Sequence, residues 1–174
     1  MGVTGSGKTT VGRLFAESVG WKYFDADDFH SPVNVEKMKR GIPLNDADRQ
    51  PWLESLQKVI RASIEQNESA VLACSLLKES YRRVLLINEC VRLVYLAGDY
   101  ALIKQRLEAR SGHYMNPALL DSQFQTLEEP TDCLRVDAAL PPAEIVACIR
   151  ENFGIKTLRQ QEVSTGSGTD RVSS

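Results

Sequence analysis

The feature that most constrains this chain is a glycine-rich loop at its start. Residues 2–9, GVTGSGKT, match the pattern G-x-x-x-x-G-K-S/T, whose backbone N–H groups surround the phosphates of a nucleoside triphosphate. Such a loop normally joins the end of a buried strand to the start of a helix. Here only Met1 precedes Gly2, so we expect the strand that would lead into the loop to be missing.

The rest of the chain alternates between apolar runs and helical patterns, which predicts an α/β domain with a mainly parallel sheet. The predicted strands are 21–24, 70–77, 91–97 and 134–136. The predicted helices are 8–19, 31–39, 48–66, 78–88, one that follows Asp99, 118–124 and one that ends near Phe153. We expect one domain over residues 1–156 and a polar, aperiodic, disordered tail over 157–174.

Composition excludes several classes of function. The chain has 174 residues and a net charge of −2, which gives no general attraction to nucleic acid or to an anionic membrane surface. Its apolar runs are too short to cross a bilayer, and no secretory leader pattern opens the chain. Four widely spaced cysteines lack metal-ligand spacing. These observations predict a cytoplasmic protein with reduced thiols that acts on a small molecule.

Each residue type in the loop has a phosphate-binding role. Glycines let the backbone fold closely around phosphates, Lys8 adds a positive charge for the β- and γ-phosphates, and the Thr9 hydroxyl suits Mg²⁺. The well-patterned helix that begins at Lys8 favours this function over a purely structural turn. The predicted ATP-binding residues are Gly2, Val3, Thr4, Gly5, Ser6, Gly7, Lys8, Thr9 and Thr10.

Two carboxylates follow the predicted strand 21–24, at the edge where open parallel sheets bind ligands. Of Asp25 and Asp27, one could hold Mg²⁺ through water, while the other could accept the proton of an attacking hydroxyl. The alternative is that carboxylates here cap the following helix. For Asp28 alone, the cap is the preferred interpretation.

Isolated polar residues at strand ends and helix starts are further candidates for ligand binding. They are His30, Arg49, Lys78 and Gln123. For each of them, a solvated surface position or a local hydrogen bond is the competing interpretation.

Two arginines four residues apart share one helix face ahead of a break at Gly112. Exposed like charges repel each other, so an anionic partner would explain Arg106 and Arg110. A lid that brings both guanidinium groups onto a transferring phosphoryl group is the functional hypothesis. Two solvated arginines on an amphipathic helix are the alternative.

Together these segments resemble the gluconate kinase family, small phosphate-loop kinases related to shikimate and nucleoside monophosphate kinases. Beside the loop, the resemblance depends on DADDFH, GIPLNDADRQPWL, VLACSLLK with Tyr81 and Arg82, GHYM and QFQTLEEP, and it spans about residues 1–153. It implies a parallel sheet in the order 2-3-1-4-5, with a lid and adjacent helix within about 105–130. It also implies a possible homodimer, and γ-phosphoryl transfer from ATP to the 6-hydroxyl of D-gluconate with Mg²⁺.

The resemblance also implies roles for single residues. Lys8 and Thr9 take the phosphate and Mg²⁺ roles, Asp25 holds a Mg²⁺-bound water, and Asp27 is the substrate-orienting base. Arg49 is the implied partner of the gluconate carboxylate, which a planar guanidinium matches in geometry. The implied contacts to the sugar-acid hydroxyls are His30, Lys78 and Gln123, and the implied lid residues are Arg106 and Arg110.

Two alternatives to a gluconate kinase remain open on sequence alone. One is a related kinase that acts on shikimate or a nucleoside monophosphate. The other is a catalytically inactive chain that lacks the first strand and acts by binding a partner.

Overall fold

The computed structural model describes residues 1–109 and 117–157. The predicted α/β class is confirmed, with strands β1 (Lys22–Asp25), β2 (Ala70–Ala73), β3 (Val94–Ala97) and β4 (Leu134–Asp137). The helices are α1 (Lys8–Val19), α2 (Pro32–Lys39), α3 (Asp46–Glu65), α4 (Glu79–Leu85), α5 (Tyr100–Glu108), α6 (Pro117–Thr126) and α7 (Pro142–Phe153), with a 3₁₀ turn over Ala26–Phe29. Apart from Thr157, the predicted tail lies outside the described residues.

The strands form two parallel ladders, β1 with β2 and β3 with β4. The main chain of Met1 lies along the inner edge of β3: its nitrogen donates to the Val94 carbonyl, and its carbonyl accepts from the Leu96 N–H at 3.0 Å. The Gly2 N–H donates to the Ser75 carbonyl, just beyond β2, at 3.3 Å. Met1 and Gly2 therefore connect the inner edges of the two ladders.

Apolar side chains cover both faces of the strands, as expected for parallel strands buried between helices. On one face, α1 and α7 contribute the buried residues Phe15 and Ile149. On the other face, α3 and α4 contribute Leu56 and Leu85. In the described part of the chain, no helix combines the length and apolar character needed to cross a membrane.

The helix ends follow local capping chemistry. Helix α1 ends at Gly20, which takes the left-handed conformation with φ 72°, and its N–H bonds to the Ala16 carbonyl. The prediction that α3 begins at Asp48 is wrong by two residues, because Asn45 and Asp48 form a capping box and the helix starts at Asp46. Helix α4 is also shorter than the predicted 78–88, because Lys78 is still extended at its amino end.

Two predicted strands are too long. The apolar run 70–77 pairs only as far as Ala73, and the run 91–97 pairs only from Val94. Leu76 takes a left-handed φ of 47°, yet both Leu76 and Leu77 are buried. The apolar run therefore includes a buried turn as well as a strand, which hydrophobicity alone does not distinguish.

The buried amine of Met1 predicts a pH dependence of stability. Burial, with the Lys8 charge acting in the same direction, lowers the pKa of this amine from 8.0 to about 5. Between these values the unfolded chain binds a proton that the folded chain does not. The free energy of unfolding should therefore rise from pH 5 to pH 8, by on the order of a few kcal/mol, and level off above pH 8.

Thermal unfolding of the chain with a free Met1 amine, measured at pH 5 to 9, checks this dependence. An Nα-acetylated chain is the control, because it keeps every other titrating group, including His30. The free energy of unfolding of the acetylated chain should not change between pH 7 and 8. An equal dependence on pH in both chains would contradict the assignment of this dependence to the Met1 amine.

Candidate active site

The glycine-rich loop folds around the amino end of α1. Gly5 and Gly7 take left-handed φ angles of 78° and 97°, and a Cβ on Gly5 would lie 3.0 Å from the Leu107 side chain. The Lys8 ammonium group donates to the Val3 carbonyl at 2.8 Å, so the side chain folds back over the loop. The glycine-rich backbone and the Lys8 cation therefore lie together at the amino end of α1, where an anion-binding site is expected.

A cavity of about 210 Å³ lies beside the loop. Its lining includes Gly5, Gly7, Thr10 and Arg106. Arg106, on α5, therefore shares a cavity with the loop, and its contact to phosphate stays a prediction. The second predicted arginine, Arg110, lies outside the described residues.

Asp25, at the end of β1, faces the loop. Its Oδ2 accepts from the Thr9 hydroxyl at 3.4 Å and from the Tyr23 hydroxyl at 3.1 Å. Its Oδ1 accepts from the Asp27 N–H at 3.2 Å, so Asp25 also caps the 3₁₀ turn. The predicted cap by Asp28 is wrong, because the hydroxyl of Ser31 caps the next helix.

The carboxyl group of Asp27 has a raised pKa. Partial removal from water is the main cause, and the charge of Asp25 raises the pKa further, while His30 and Lys8 oppose the shift. These effects also show that Asp27 lies within electrostatic range of the loop lysine and of the histidine. A carboxylate with a raised pKa is a stronger base, which suits proton transfer from a hydroxyl.

The oxygen atoms of Thr9 and Asp25 fit a magnesium ion that is bound mainly by phosphates and water. In residues 1–109 and 117–157, no group of three or more His, Cys, Asp or Glu side chains is placed to hold a metal ion. A metal at this site would therefore depend on the nucleotide for most of its ligands.

His30 stacks on Trp52 beside Asp27. The ring centroids are 4.8 Å apart with an interplanar angle of 7°, and the Trp52 indole N–H donates to the Ala26 carbonyl at 2.7 Å. Burial lowers the pKa of His30, so its ring is neutral at pH 7. Its Nδ1 is buried without a hydrogen-bond partner in the described part of the chain.

A cationic cluster lies at the amino ends of α3 and α4. Lys78 Nζ bonds to Asp46 Oδ1 at 2.8 Å, and the Tyr81 hydroxyl donates to the same oxygen at 2.5 Å. The Arg49 guanidinium lies 5.7 Å from the Tyr81 ring centroid and donates to the Leu44 carbonyl. The cluster therefore already holds one carboxylate, that of Asp46, whose pKa is lowered first of all by its hydrogen bond with Lys78.

Sequence reasoning proposed no site role for Asp46 or Tyr81. The available signal was their position in the stretches GIPLNDADRQPWL and VLACSLLKESY, at the starts of two predicted helices. This signal was not enough to predict a site role, because the contact between Asp46 and Tyr81 joins residues 35 positions apart.

Gln123, on α6, contacts the loop itself. Its Oε1 accepts from the Thr4 N–H at 2.6 Å. The residue thus supports the phosphate-binding backbone, a role that the sequence did not indicate. Its predicted contact to a sugar-acid hydroxyl stays a prediction.

Arg82 supports the turn that carries Lys78. Its side chain is buried, and its Nη1 donates to the Leu76 and Leu77 carbonyls at 3.0 and 3.1 Å. The left-handed conformation of Leu76 lies within this turn. The guanidinium therefore stabilises the local conformation from which Lys78 reaches Asp46.

Replacing Arg82 by methionine should lower the free energy of unfolding by about 1–3 kcal/mol, because two buried carbonyls lose a charged donor. Urea denaturation measures this change, and Arg83→Met on the exposed face of α4 is the matched control. Equal stability of the two variants would show that the turn does not depend on Arg82.

Known proteins match this chain over most of its length. The shikimate kinase family model matches residues 4–133. "Probable gluconokinase" of Rattus norvegicus is 43% identical, with 87% of this chain and 94% of that protein covered. "Thermosensitive gluconokinase" of Escherichia coli (strain K12) is 38% identical, with 97% and 92% covered. The crystal structure of a gluconokinase from Sinorhizobium meliloti 1021 gives a TM-score of 0.79 at 36% identity, with 97% and 95% covered.

Proposed function

We propose that this chain, which belongs to the gluconokinase family of shikimate kinase-like enzymes, phosphorylates D-gluconate to 6-phospho-D-gluconate with ATP. The observation that carries the choice of acceptor is the cationic cluster, in which Lys78 and Tyr81 bind the carboxylate of Asp46 and Arg49 lies beside Tyr81. Shikimate and nucleoside monophosphates are not favoured as acceptors by these relatives.

The loop and Lys8 would bind the ATP phosphates, with Arg106 approaching from α5. Mg²⁺, held beside Thr9 and through water by Asp25, would neutralise part of the phosphate charge when bound. The 6-hydroxyl oxygen forms a bond to the γ-phosphorus, the bond from that phosphorus to the β–γ bridging oxygen breaks, and ADP leaves. Asp27 orients the hydroxyl and accepts its proton.

Gluconate carries its carboxylate and its 6-hydroxyl at opposite ends, so the two ends need separate binding groups. The cationic cluster would hold the carboxylate, with Arg49 making the bidentate contact. The charges of Asp27 and Arg49 both affect the pKa of His30, after the larger effect of burial, so His30 is within electrostatic range of both residues. It would therefore contact a hydroxyl of the intervening carbon chain, together with Lys78 and Gln123.

The four cysteines of the chain carry free thiols, which supports the proposal of a reducing cytoplasmic location. The possible homodimer stays a prediction, which light scattering of the purified protein checks.

A coupled assay of ADP release tests the proposed function. With ATP and Mg²⁺, turnover of gluconate should exceed that of shikimate and of AMP by at least about 100-fold, because only gluconate presents both a carboxylate and a terminal hydroxyl on a flexible chain. Preference for shikimate or AMP at equal concentration would reject gluconate as the acceptor.

Substitution of Arg49 by lysine should raise the KM for gluconate by roughly tenfold to a hundredfold. The charge remains, but the planar two-donor geometry is lost, and a charged hydrogen bond contributes about 1.5–3 kcal/mol. Steady-state kinetics with varied gluconate measures the effect, and the KM for ATP should hardly change.

Arg61→Lys is the matched control, since Arg61 is exposed on the same helix. Should Arg49→Lys weaken ATP binding and leave gluconate binding intact, Arg49 would serve the phosphates. Lys78 would then be the residue that binds the gluconate carboxylate.

A further inference from the structure

Glu128, just after α6, binds the main chain on both sides of Lys78. Its N–H donates to the Leu77 carbonyl at 2.9 Å, and its Oε2 accepts from the Glu79 N–H at 2.5 Å. The Leu77 carbonyl belongs to the peptide group before the Cα atom of Lys78, and the Glu79 N–H belongs to the peptide group after it. Because peptide groups are planar, the orientation of these two groups determines the backbone conformation of Lys78.

Lys78 precedes α4 but cannot cap this helix with its own side chain. It is the N-cap residue, extended with φ −92° and ψ 143°. An ammonium group donates hydrogen bonds and accepts none, and that of Lys78 reaches Asp46 in the cationic cluster. The Glu128 carboxylate instead supplies an acceptor for the first turn of α4, where a negative charge is favourable. The side chain of Lys78 is therefore left to point toward the acceptor side of the site.

Contacts of the neighbouring residues fix the position of Glu128 itself. Earlier in the same segment, Gln123 Oε1 accepts from the Thr4 N–H of the glycine-rich loop at 2.6 Å. Directly after it, Glu129 Oε1 accepts from the hydroxyl of Tyr95, a buried residue of β3, at 3.2 Å. Glu128 is therefore held by the loop and by the sheet, and not only by the turn that it contacts.

We propose that Glu128 is a positioning residue for the acceptor site, because its two main-chain hydrogen bonds orient Lys78 toward the acceptor. The contact of Lys78 with the acceptor rests on the proposed function. Glu128 acts through the main chain of Lys78, and the segment that carries it also contacts the glycine-rich loop through Gln123. The same segment therefore fixes the acceptor lysine relative to the loop that would bind the ATP phosphates.

Glu128→Ala removes the bond to the Glu79 N–H and keeps the main-chain bond to Leu77. The KM for gluconate should rise about threefold to tenfold, the effect expected when one long side chain loses its preorganisation. Both kcat and the KM for ATP should stay within about twofold, because the reacting groups are unchanged. Glu128→Gln should recover most of the lost affinity, since its amide oxygen still accepts from Glu79. Asp132→Ala, at an exposed carboxylate in the following loop, is the matched control and should leave every constant unchanged.

The carboxyl group of Asp46 reports the position of Lys78 without any acceptor. Its pKa is lowered first by the hydrogen bond with Lys78 and then by that with Tyr81, with a smaller effect of the Arg49 charge. In Glu128→Ala the lysine is held less firmly, so the pKa of Asp46 should move back toward its ordinary value, while Tyr81 and Arg49 still lower it. An NMR titration of the unliganded protein measures this pKa. A residue that only stabilised the fold would leave it unchanged.

Hydrogen exchange of the Glu79 amide completes the test. It should be at least about tenfold faster in Glu128→Ala than in the unchanged chain, because the amide loses its acceptor. Faster exchange with an unchanged KM for gluconate and an unchanged pKa of Asp46 would overturn the proposal, since Glu128 would then cap α4 without positioning Lys78. If the unchanged chain turned over no gluconate but the pKa of Asp46 still shifted, gluconate would be rejected as the acceptor, while the positioning of Lys78 by Glu128 would be supported.

Discussion

Asp27→Asn is expected to lower kcat for gluconate by about 10²–10⁴-fold, the usual contribution of a positioned general base. The amide keeps the size of the side chain but cannot take the proton of the 6-hydroxyl at neutral pH. The KM for ATP should remain within about twofold, because the loop and Lys8 are unchanged. Single-turnover measurements of phosphoryl transfer separate this loss from any change in product release.

Asp28→Asn is the matched control, since Asp28 is exposed in the same 3₁₀ turn. It should retain nearly full activity. The raised pKa of Asp27 adds a pH criterion: kcat/KM should fall as pH decreases through that raised pKa, and the fall should be absent in Asp27→Asn. Unchanged kcat in Asp27→Asn would exclude Asp27 as the base.

Lys8→Met should lower kcat/KM for ATP by on the order of 10³-fold, because a preorganised positive charge next to the transferring phosphoryl group is lost. Calorimetry should show weaker ATP binding, while the KM for gluconate changes little. The variant loses the hydrogen bond from Lys8 to the Val3 carbonyl, so a loss of stability of about 1–3 kcal/mol is expected. Thermal unfolding checks that the variant is folded.

Lys22→Met provides the comparison for this variant. Lys22 is an exposed residue of β1 that pairs with Glu68 on the surface, and such pairs contribute little to stability. The two lysine variants should differ by more than two orders of magnitude in activity. If both retained activity, the loop would bind phosphate through its backbone alone.

Helices were predictable because their ends are determined locally. Gly20 stops α1, and Pro142 suits the first turn of α7, so the sequence indicates both ends from nearby residues. Strand ends were less predictable because pairing depends on distant residues. The run 70–77 is apolar throughout, but Leu76 and Leu77 are buried by contacts with helices rather than by pairing.

The phosphate side of the site was predictable because its residues follow one another closely along the chain. Lys8 and Thr9 begin α1, directly after the glycine-rich loop, and Asp25 ends the strand that follows this helix. The acceptor side of the site was less predictable from the sequence. The contact of Lys78 with Asp46 spans 32 positions, and no local pattern encodes such a pair. The same holds for the contact of Gln123 with Thr4 on the phosphate side, which spans 119 positions.

The stacking of His30 on Trp52 provides an optical signal for acceptor binding. The sequence contains two tryptophans, and the other, Trp21, borders an apolar cavity of about 490 Å³. A Trp21→Phe background would therefore leave an indole whose emission originates beside His30. Fluorescence titration of that background would follow gluconate as it reaches the histidine, even in Asp27→Asn, where product formation is too slow to report binding.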